Sequence, residues 1–341
     1  MFQPSYSVSN KLLANIKRIA EIVTALNERR FPRLALLELE REARDISSFA
    51  STSIEGNPLP LTDVKRILKN APAHIRDTER EVLNYNAALL RLKRLADDGR
   101  VKLDKRLILR VHGQVASGLL PAASCGRLRR ESVFVNDPRS GKTVYWPPDH
   151  QDVETLVDEL VEFVRGSQGE VDPLVLAGIF HKQFVLVHPF IDGNGRTARL
   201  TTKVLLAGLG LNTFDLFSFE RYYNANVTKY FATVGEGGNY YDLQVDFTPW
   251  LEYFTDGILD ELLRVKKELE RAIASDVSGL KAHHRVLLKY LQEHDTITDA
   301  VYAGLVKRAR PTRALDLRFL LDQGLIERHG QGRATYYTRK R

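Results

Sequence analysis

The stretch HPFIDGNGRTAR, residues 188–199, combines a histidine, a carboxylate, two glycines and two arginines within twelve residues. Gly193 and Gly195 flank Asn194 at the predicted start of a helix, where glycine lets the backbone adopt positive φ and approach a ligand closely. The unpaired N–H groups and the positive dipole end of a helix start bind anions. This loop therefore predicts a phosphate site.

The charged side chains of the same loop agree with that prediction. Arg196 and Arg199 are placed on one face of the predicted helix, from which both guanidinium groups can reach one phosphate chain. Asp192 precedes the turn, and a single carboxylate beside phosphates suits Mg²⁺. The imidazole of His188 can take a proton from an incoming hydroxyl near pH 7. Together these groups indicate metal-assisted nucleotide transfer.

Generic nucleotide and zinc motifs are missing from the sequence. It contains neither a GxxxxGK[ST] P-loop nor a GxGxxG turn after a predicted strand, and His181 and His188 do not form HExxH. A nucleotide site would therefore depend on the loop 188–199, and a zinc hydrolase is disfavoured.

The composition is that of a globular protein without membrane spans. Of 341 residues, 43% are hydrophobic and 27% are charged, which fits two or three domains. No apolar signal segment or spanning run is present, and the single cysteine, Cys125, excludes an internal disulfide. These features predict a cytoplasmic protein. The net charge of +7 favours an anionic partner such as nucleotide or DNA.

Apolar residues recur at helical spacing through most of the chain, which predicts a mainly α protein. One helix of the N-terminal region stops at Glu55-Gly56-Asn57-Pro58, because glycine followed closely by proline ends helices. The segment DPLVLAGIFHKQFVLV predicts a buried helix before the loop, and a second helix is expected from about Arg196 to Leu206. The segment SVFVNDPRSGKTVYWPPD alternates around a turn and predicts a β-hairpin.

The segment after Ser275 differs in pattern. Three short helices and two strands around a Gly-rich turn are predicted, in the order of a winged helix-turn-helix. A charged stretch, ELLRVKKELERAIASDVSG, is expected to connect it to the preceding region. The predicted domains are a helical N-terminal region at 1–102, a core at 103–263, and the connector with the winged helix at 264–341.

The sequence resembles the Fic family. HPFIDGNGRTAR matches the family signature HxFx[D/E]GNGRxxR at every fixed position, and the hairpin ending in Tyr145-Trp146-Pro147-Pro148 resembles the Fic flap. The resemblance implies a Fic-type helical core with a small β-hairpin flap. It also implies a protein adenylyltransferase that moves AMP from ATP to a Ser, Thr or Tyr hydroxyl and releases pyrophosphate.

The resemblance assigns a role to each motif residue. It implies that His188 is the general base and that Asp192 binds Mg²⁺. Family members often present a tyrosine pair to the adenine, for which Tyr222 and Tyr223 are the best match and Asn239 a looser candidate. The flap is implied to dock the target chain by strand addition. The phosphate ligands it implies are Gly193, Asn194, Gly195, Arg196 and Arg199.

A second motif suggests self-inhibition. Ser51 and Glu55 are placed on one helix face, and the helix dipole disfavours a carboxylate at a C-terminus, so Glu55 needs a cation partner. With Gly56, they match the family's inhibitory motif [S/T]xxxE[G/N]. The resemblance implies that Glu55 pairs with Arg199 and keeps it from the γ-phosphate. In some relatives the same glutamate supports AMP removal, which leaves the direction of the reaction open.

Several alternatives and partners remain open. The chain is either an enzyme of this kind or a transcriptional regulator whose core senses nucleotide; transfer of another nucleotide is a third reading. The expected target is a protein, and this chain itself is one candidate. A homodimer is a further candidate assembly, because homodimers are common among relatives. DNA contact is expected through residues 283–341. The candidate side chains for it are Arg308, Arg310, Arg313 and Arg318 on the recognition helix and Arg328, His329 and Arg333 on the wing.

Overall fold

The apolar segment before the loop forms the central helix of the fold. This helix, α7 (Pro173–Val187), is buried on nearly all sides, as expected of a helix without a polar face. It begins with Pro173 at its first position and with the Asp172 carboxylate accepting from the Leu174 N–H. It ends at His188, which is in the left-handed conformation, with φ 49°. The loop then leads directly into α8 (Asn194–Leu206), two residues earlier than expected.

A computed structural model describes residues 2–29, 31, 33–99, 102–136, 141–207, 216–274 and 280–340. The chain divides into two compact units, Met1–Arg30 with Leu39–Lys267, and Phe31–Glu38 with Glu268–Arg341. In chain order, the helices described before residue 275 are α1 (Asn10–Asn27), α2 (Arg33–Ile54), α3 (Leu61–Lys69), α4 (Asp77–Asp97), α5 (Lys105–Val115), α6 (Val153–Gly166), α7, α8, α9 (Phe219–Ala225), α10 (Val227–Val234) and α11 (Thr248–Ala274). The predicted connector forms the last part of α11 as far as Ala274, and its residues 275–279 lie outside the described residues. The short helices α9 and α10 were not expected.

The core of the first unit forms around α7. Apolar residues of α6 and α7 meet there, and Phe190 and Ala198 close the cluster from the loop and α8. A second cluster joins α4, α5 and α8. Because α8 contributes residues to both clusters, core packing fixes the position of its first turn.

The predicted hairpin is present. Its strands, β1 (Val135–Asn136) and β2 (Thr143–Trp146), pair antiparallel, and the middle of its turn, 137–140, lies outside the described residues. A third strand, β3 (Gly238–Asn239), pairs parallel with β2 at Tyr145 and Trp146. The Tyr145 hydroxyl, buried, donates to the Leu186 carbonyl of α7, so the flap is anchored to the central helix.

The second unit has the element order predicted for its part of the chain. It contains α12 (Ala282–Glu293), α13 (Asp299–Leu305) and α14 (Arg310–Asp322), followed by β4 (Ile326–His329) and β5 (Tyr336–Arg339), which pair antiparallel. Its assignment as a winged helix-turn-helix stays a prediction, as does the three-part division of the chain.

A buried carboxylate organises this unit. Asp316 accepts two hydrogen bonds from the Arg308 guanidinium and one from the Tyr302 hydroxyl, and both His283 and His284 lie against it. Two histidines and an aspartate could hold a metal ion. However, the Arg308 charge already neutralises the carboxylate, so we interpret the group as a structural network.

Candidate active site

The end of α2 has the geometry of a Schellman motif. The Asn57 N–H donates to the Thr52 carbonyl and the Gly56 N–H to the Ser53 carbonyl. Gly56 has φ +94°, which a side chain would disfavour. Glu55 is therefore the residue that caps α2, just beyond its last turn.

Glu55 and Arg199, which were expected to pair, are in contact. Glu55 Oε1 lies 2.6 Å from Arg199 Nη2. Arg199 also donates to Ser51, through Nε to the hydroxyl and through Nη2 to the carbonyl, each at 2.8 Å. Its Nη1 donates to the Tyr230 hydroxyl at 3.3 Å. The guanidinium of Arg199 is fully buried, and these acceptors satisfy it from α2 and α10.

The Glu55 carboxylate lies against the first turn of α8. A Cβ built on Gly195 would collide with Glu55 Oε1 and would lie 3.0 Å from Arg199 Nη1. Gly195 belongs to that first turn, where unpaired N–H groups and the positive dipole end attract negative charge. The protein's own glutamate therefore lies beside the turn that was predicted to bind phosphate.

Arg196 is held by two carboxylates. Its Nη1 lies 2.6 Å from Glu81 Oε1 of α4 and its Nη2 lies 2.7 Å from Asp192 Oδ2. Its buried Nε has no hydrogen-bond partner among the described residues. The second oxygen of Glu81 accepts from Asn57 Nδ2 at 2.6 Å. Burial raises the pKa of Glu81, and the Arg196 charge opposes that effect.

The surroundings of His188 favour its neutral imidazole. Burial lowers its pKa, the charge of Arg129 lowers it further, and a bond to the Val185 carbonyl and the carboxylates of Glu55 and Asp192 act in the opposite direction. Its Nδ1 lies 3.2 Å from the Val185 carbonyl, so Nδ1 carries the proton and Nε2 is left as the basic nitrogen. This is the protonation state that a general base requires.

The Asn194 side chain is engaged within the loop. Its Oδ1 accepts from the Phe190 N–H at 2.9 Å and its Nδ2 donates to the Phe190 carbonyl at 2.8 Å. The side chain therefore closes the loop on itself, and phosphate binding at Asn194 stays a prediction. Gly193, with φ 79°, begins α8 in a conformation that favours glycine.

The two tyrosine candidates for adenine lie in one aromatic cluster. Tyr223 is fully buried, with its ring stacked on Tyr230 at 4.7 Å, so a contact with adenine would require this stack to open. Tyr222 packs against both Tyr223 and Tyr253 of α11, and the adenine role of the pair stays a prediction. Asn239 lies in β3 beside the flap, where its Oδ1 accepts from the Tyr241 N–H, so it remains a candidate.

The flap is part of a three-stranded sheet. Because β3 lies beside β2 at Tyr145 and Trp146, the edge strands of the described sheet are β1 and β3. Docking of a target chain by strand addition at such an edge stays a prediction.

Two residues that the sequence did not single out support the loop from beneath. His112 of α5 stacks on Phe190 with ring centroids 3.6 Å apart. Its Nδ1 accepts from the Gly126 N–H, so its Nε2 carries the proton and donates to the Asp192 carbonyl at 3.0 Å. Burial lowers the pKa of His112 to about 4, which keeps this tautomer neutral. The other is Arg129, whose guanidinium contacts the His188 backbone. No local pattern marks either residue, because both act on a segment distant in sequence.

Known proteins resemble this chain in sequence. Residues 102–206 match the model of the Fic/DOC family. A protein adenylyltransferase Fic of Aedes aegypti is 27% identical over 292 residues, covering 79% of this chain and 54% of that relative. One of Drosophila willistoni is 28% identical over 226 residues, covering 61% of this chain and 43% of that relative. The chain thus spans about half the length of these relatives.

Solved structures show the fold. A Fic family protein from Desulfovibrio desulfuricans G20 aligns with a TM-score of 0.64 at 22% identity, covering 99% of this chain and 98% of that one. Fic-1 from C. elegans aligns with a TM-score of 0.63 at 23% identity, covering 78% and 74%. The fold is therefore mainly helical and of Fic type. Within the described residues, no helix is long and apolar enough to cross a membrane.

Proposed function

We propose that this protein is a self-inhibited adenylyltransferase, which moves AMP from ATP to a hydroxyl of a protein side chain. The observation that carries the proposal is the Glu55 carboxylate at the first turn of α8, in contact with buried Arg199. A carboxylate of the same chain blocks the anion site, and a neutral histidine lies beside it. A self-inhibited nucleotide transfer requires both features. The names of the relatives in Aedes and Drosophila support the same reaction.

The chemistry follows from the groups in the loop. The target hydroxyl oxygen attacks the α-phosphorus, the bond from that phosphorus to the pyrophosphate oxygen breaks, and His188 Nε2 takes the hydroxyl proton. Arg196 and Arg199 stabilise the negative charge of the departing pyrophosphate. Arg199 can do so only after Glu55 has left it.

The donor set fits a magnesium ion. The Asp192 side chain is 57% exposed beside the anion site, and an exposed carboxylate oxygen is a suitable ligand for an ion that keeps most of its waters. Bound there with ATP, Mg²⁺ would neutralise phosphate charge. Since Asp192 also pairs with Arg196, metal binding is expected to compete with that ion pair.

The test compares label transfer from [α-³²P]ATP with Mg²⁺ among four proteins. These are wild type, Glu55→Gly, Glu55→Gly with His188→Ala, and Glu42→Ala as a control for an exposed glutamate of α2. We expect Glu55→Gly alone to label itself or lysate protein strongly, with an added mass of AMP. Absence of label in every sample would favour the nucleotide-sensing regulator. Loss of label from protein first labelled by Glu55→Gly, after ATP is removed and wild type but not further Glu55→Gly is added, would reveal AMP removal.

DNA is a second candidate partner, for the second unit alone. Arg310 and Arg318 of α14 and Arg328 of β4 are exposed, whereas Arg308 and Arg313 are engaged by Asp316 and Asp299. The His329 ring bonds the Thr338 hydroxyl, and the Arg333 side chain lies outside the described residues. A charge-reversal variant of the exposed three should abolish salt-sensitive gel shifts of duplex DNA if this proposal holds. Homodimerisation and a cytoplasmic location stay predictions.

A further inference from the structure

A buried arginine lies between the loop and the flap. Arg129 is 3% exposed, and the hydrogen bonds found for its guanidinium within the described chain all go to backbone carbonyls. Nε donates to the His188 carbonyl at 2.9 Å. Nη2 donates to Pro148 and, at 3.5 Å, to Val187; Nη1 donates to Glu131 at 3.0 Å. The Arg129 N–H donates to the Pro189 carbonyl at 2.9 Å.

These contacts stabilise an unfavourable backbone conformation. Among the described residues, His188 is the non-glycine residue with positive φ, a conformation that costs roughly 1–2 kcal/mol. The Val187 and His188 carbonyls end α7 and have no partner within the helix. A cation at this end also interacts favourably with the helix dipole. Arg129 therefore caps α7 at the residue proposed to be the base.

The same guanidinium holds both ends of the flap. Glu131 precedes β1 and Pro148 follows β2, so the hairpin leaves and returns at one arginine. A movement of the flap relative to His188 would break at least one of these bonds.

We propose that Arg129 is a positioning residue for the transfer reaction, holding the His188 backbone and both ends of the flap in one fixed arrangement. This inference rests on the proposed function. Arg129 keeps the docked target strand and the proton acceptor at a constant separation, which a reaction of aligned groups requires. Its charge also acts on the His188 imidazole together with the Glu55 and Asp192 carboxylates, so its removal shifts the titration of His188.

The experiment uses the full chain carrying Glu55→Gly, with Arg129→Met, Arg129→Lys or Arg130→Met added. Arg130 is the adjacent, exposed arginine and serves as the matched control. Initial rates of labelling from [α-³²P]ATP are measured at several ATP concentrations and from pH 5.5 to 8.5. The pKa of His188 is measured separately by NMR titration of ¹³C-labelled histidine without nucleotide, with the signal assigned from His188→Ala.

We expect Arg129→Met to lower the maximal rate about 100-fold and to change the KM for ATP less than about threefold. This pattern indicates that the reacting groups are misaligned while nucleotide binding is retained. The His188 pKa and the acid limb of the rate profile should rise by about half a unit or more. Arg129→Lys keeps the charge, so it should preserve the pKa and recover only part of the rate. A rate and a His188 pKa equal to those of Arg130→Met would overturn the proposal.

Two outcomes separate this inference from its premise. If Glu55→Gly transfers no label, the proposed function fails, and the NMR titration still decides whether Arg129 acts on His188. If Arg129→Met does not fold, Arg129→Lys decides: an unreduced rate in that variant contradicts the need for the carbonyl contacts.

Discussion

Glu55 Oε1 and Arg199 Nη2 lie 2.6 Å apart, yet the two partners differ in exposure: the Glu55 side chain is 26% exposed and that of Arg199 is fully buried. Arg199 keeps Ser51 and Tyr230 as acceptors when Glu55 leaves. The carboxylate can therefore move into solvent while the cation stays in place. This difference in exposure allows Glu55 to release Arg199 without a rearrangement of the core.

Replacing Glu55 with Gln should strengthen ATP binding. The change removes a negative charge beside the first turn of α8, so repulsion of the phosphates ends and the ion pair with Arg199 is reduced to a weaker, neutral-acceptor hydrogen bond. We expect about tenfold tighter binding of Mg-ATP by calorimetry, or roughly 1.4 kcal/mol. Binding of AMP, which lacks the outer phosphates, should change little. Equal ATP affinities for Glu55→Gln and the exposed control Glu42→Gln would contradict the blocked site.

Glu81 should restrain Arg196 in the same manner. Its carboxylate lies 2.6 Å from Arg196 Nη1 and is held by Asn57. Since phosphate must compete with it, Glu81→Gln should tighten ATP binding several-fold at low salt, and Asn57→Ala by less. In a double-mutant cycle, the Asn57 effect should vanish once Glu81 is changed. Weaker ATP binding by Glu81→Gln would mean that Glu81 orients Arg196 for phosphate instead.

Stability should fall in mild acid because buried histidines must remain neutral in the fold. Burial lowers the pKa of His112 to about 4. An unfolded histidine titrates near 6.5, so the unfolded state binds more protons as pH falls from 6.5 toward 4, and folding loses free energy through that window. His112 alone contributes a loss on the order of 3 kcal/mol. In urea unfolding at several pH values, the free energy of unfolding should fall less steeply with decreasing pH for His112→Gln than for wild type. The exposed control His74→Gln should match wild type.

A methyl group at Gly178 should destabilise the core. A Cβ there would lie 2.6 Å from Leu251 Cδ2 and 3.2 Å from Phe254 Cδ1, both fully buried, so the packed side chains must shift to admit it. Gly178→Ala should cost about 1–3 kcal/mol. Gly166→Ala, where nothing lies within 4 Å, should be neutral or slightly stabilising. Tryptophan fluorescence can follow urea unfolding of the first unit, because Trp146 and Trp250 both belong to it. Equal urea midpoints for Gly178→Ala and Gly166→Ala would contradict the close packing at Gly178.

Features encoded by neighbouring residues could be predicted from the sequence. The helix stop at Gly56, the hairpin, the buried α7 and the anion-binding start of α8 each depend on residues within a few positions. Backbone conformation and helix dipoles act over that range, so a linear pattern is sufficient. The Glu55–Arg199 pair was expected only through the family resemblance.

Only the tertiary structure decided how distant segments meet in the site. It buried Tyr223 in an aromatic stack, turned the Asn194 side chain back onto Phe190, and brought Glu81 and Arg129 to the loop. Nothing local distinguishes Glu81 or Arg129 from other charged residues of a predicted helix or loop. Burial and pairing of a charge depend on which surfaces pack together, and that packing follows from the whole chain. The sequence thus determined the chemistry of the loop, and the fold decided which side chains restrain it.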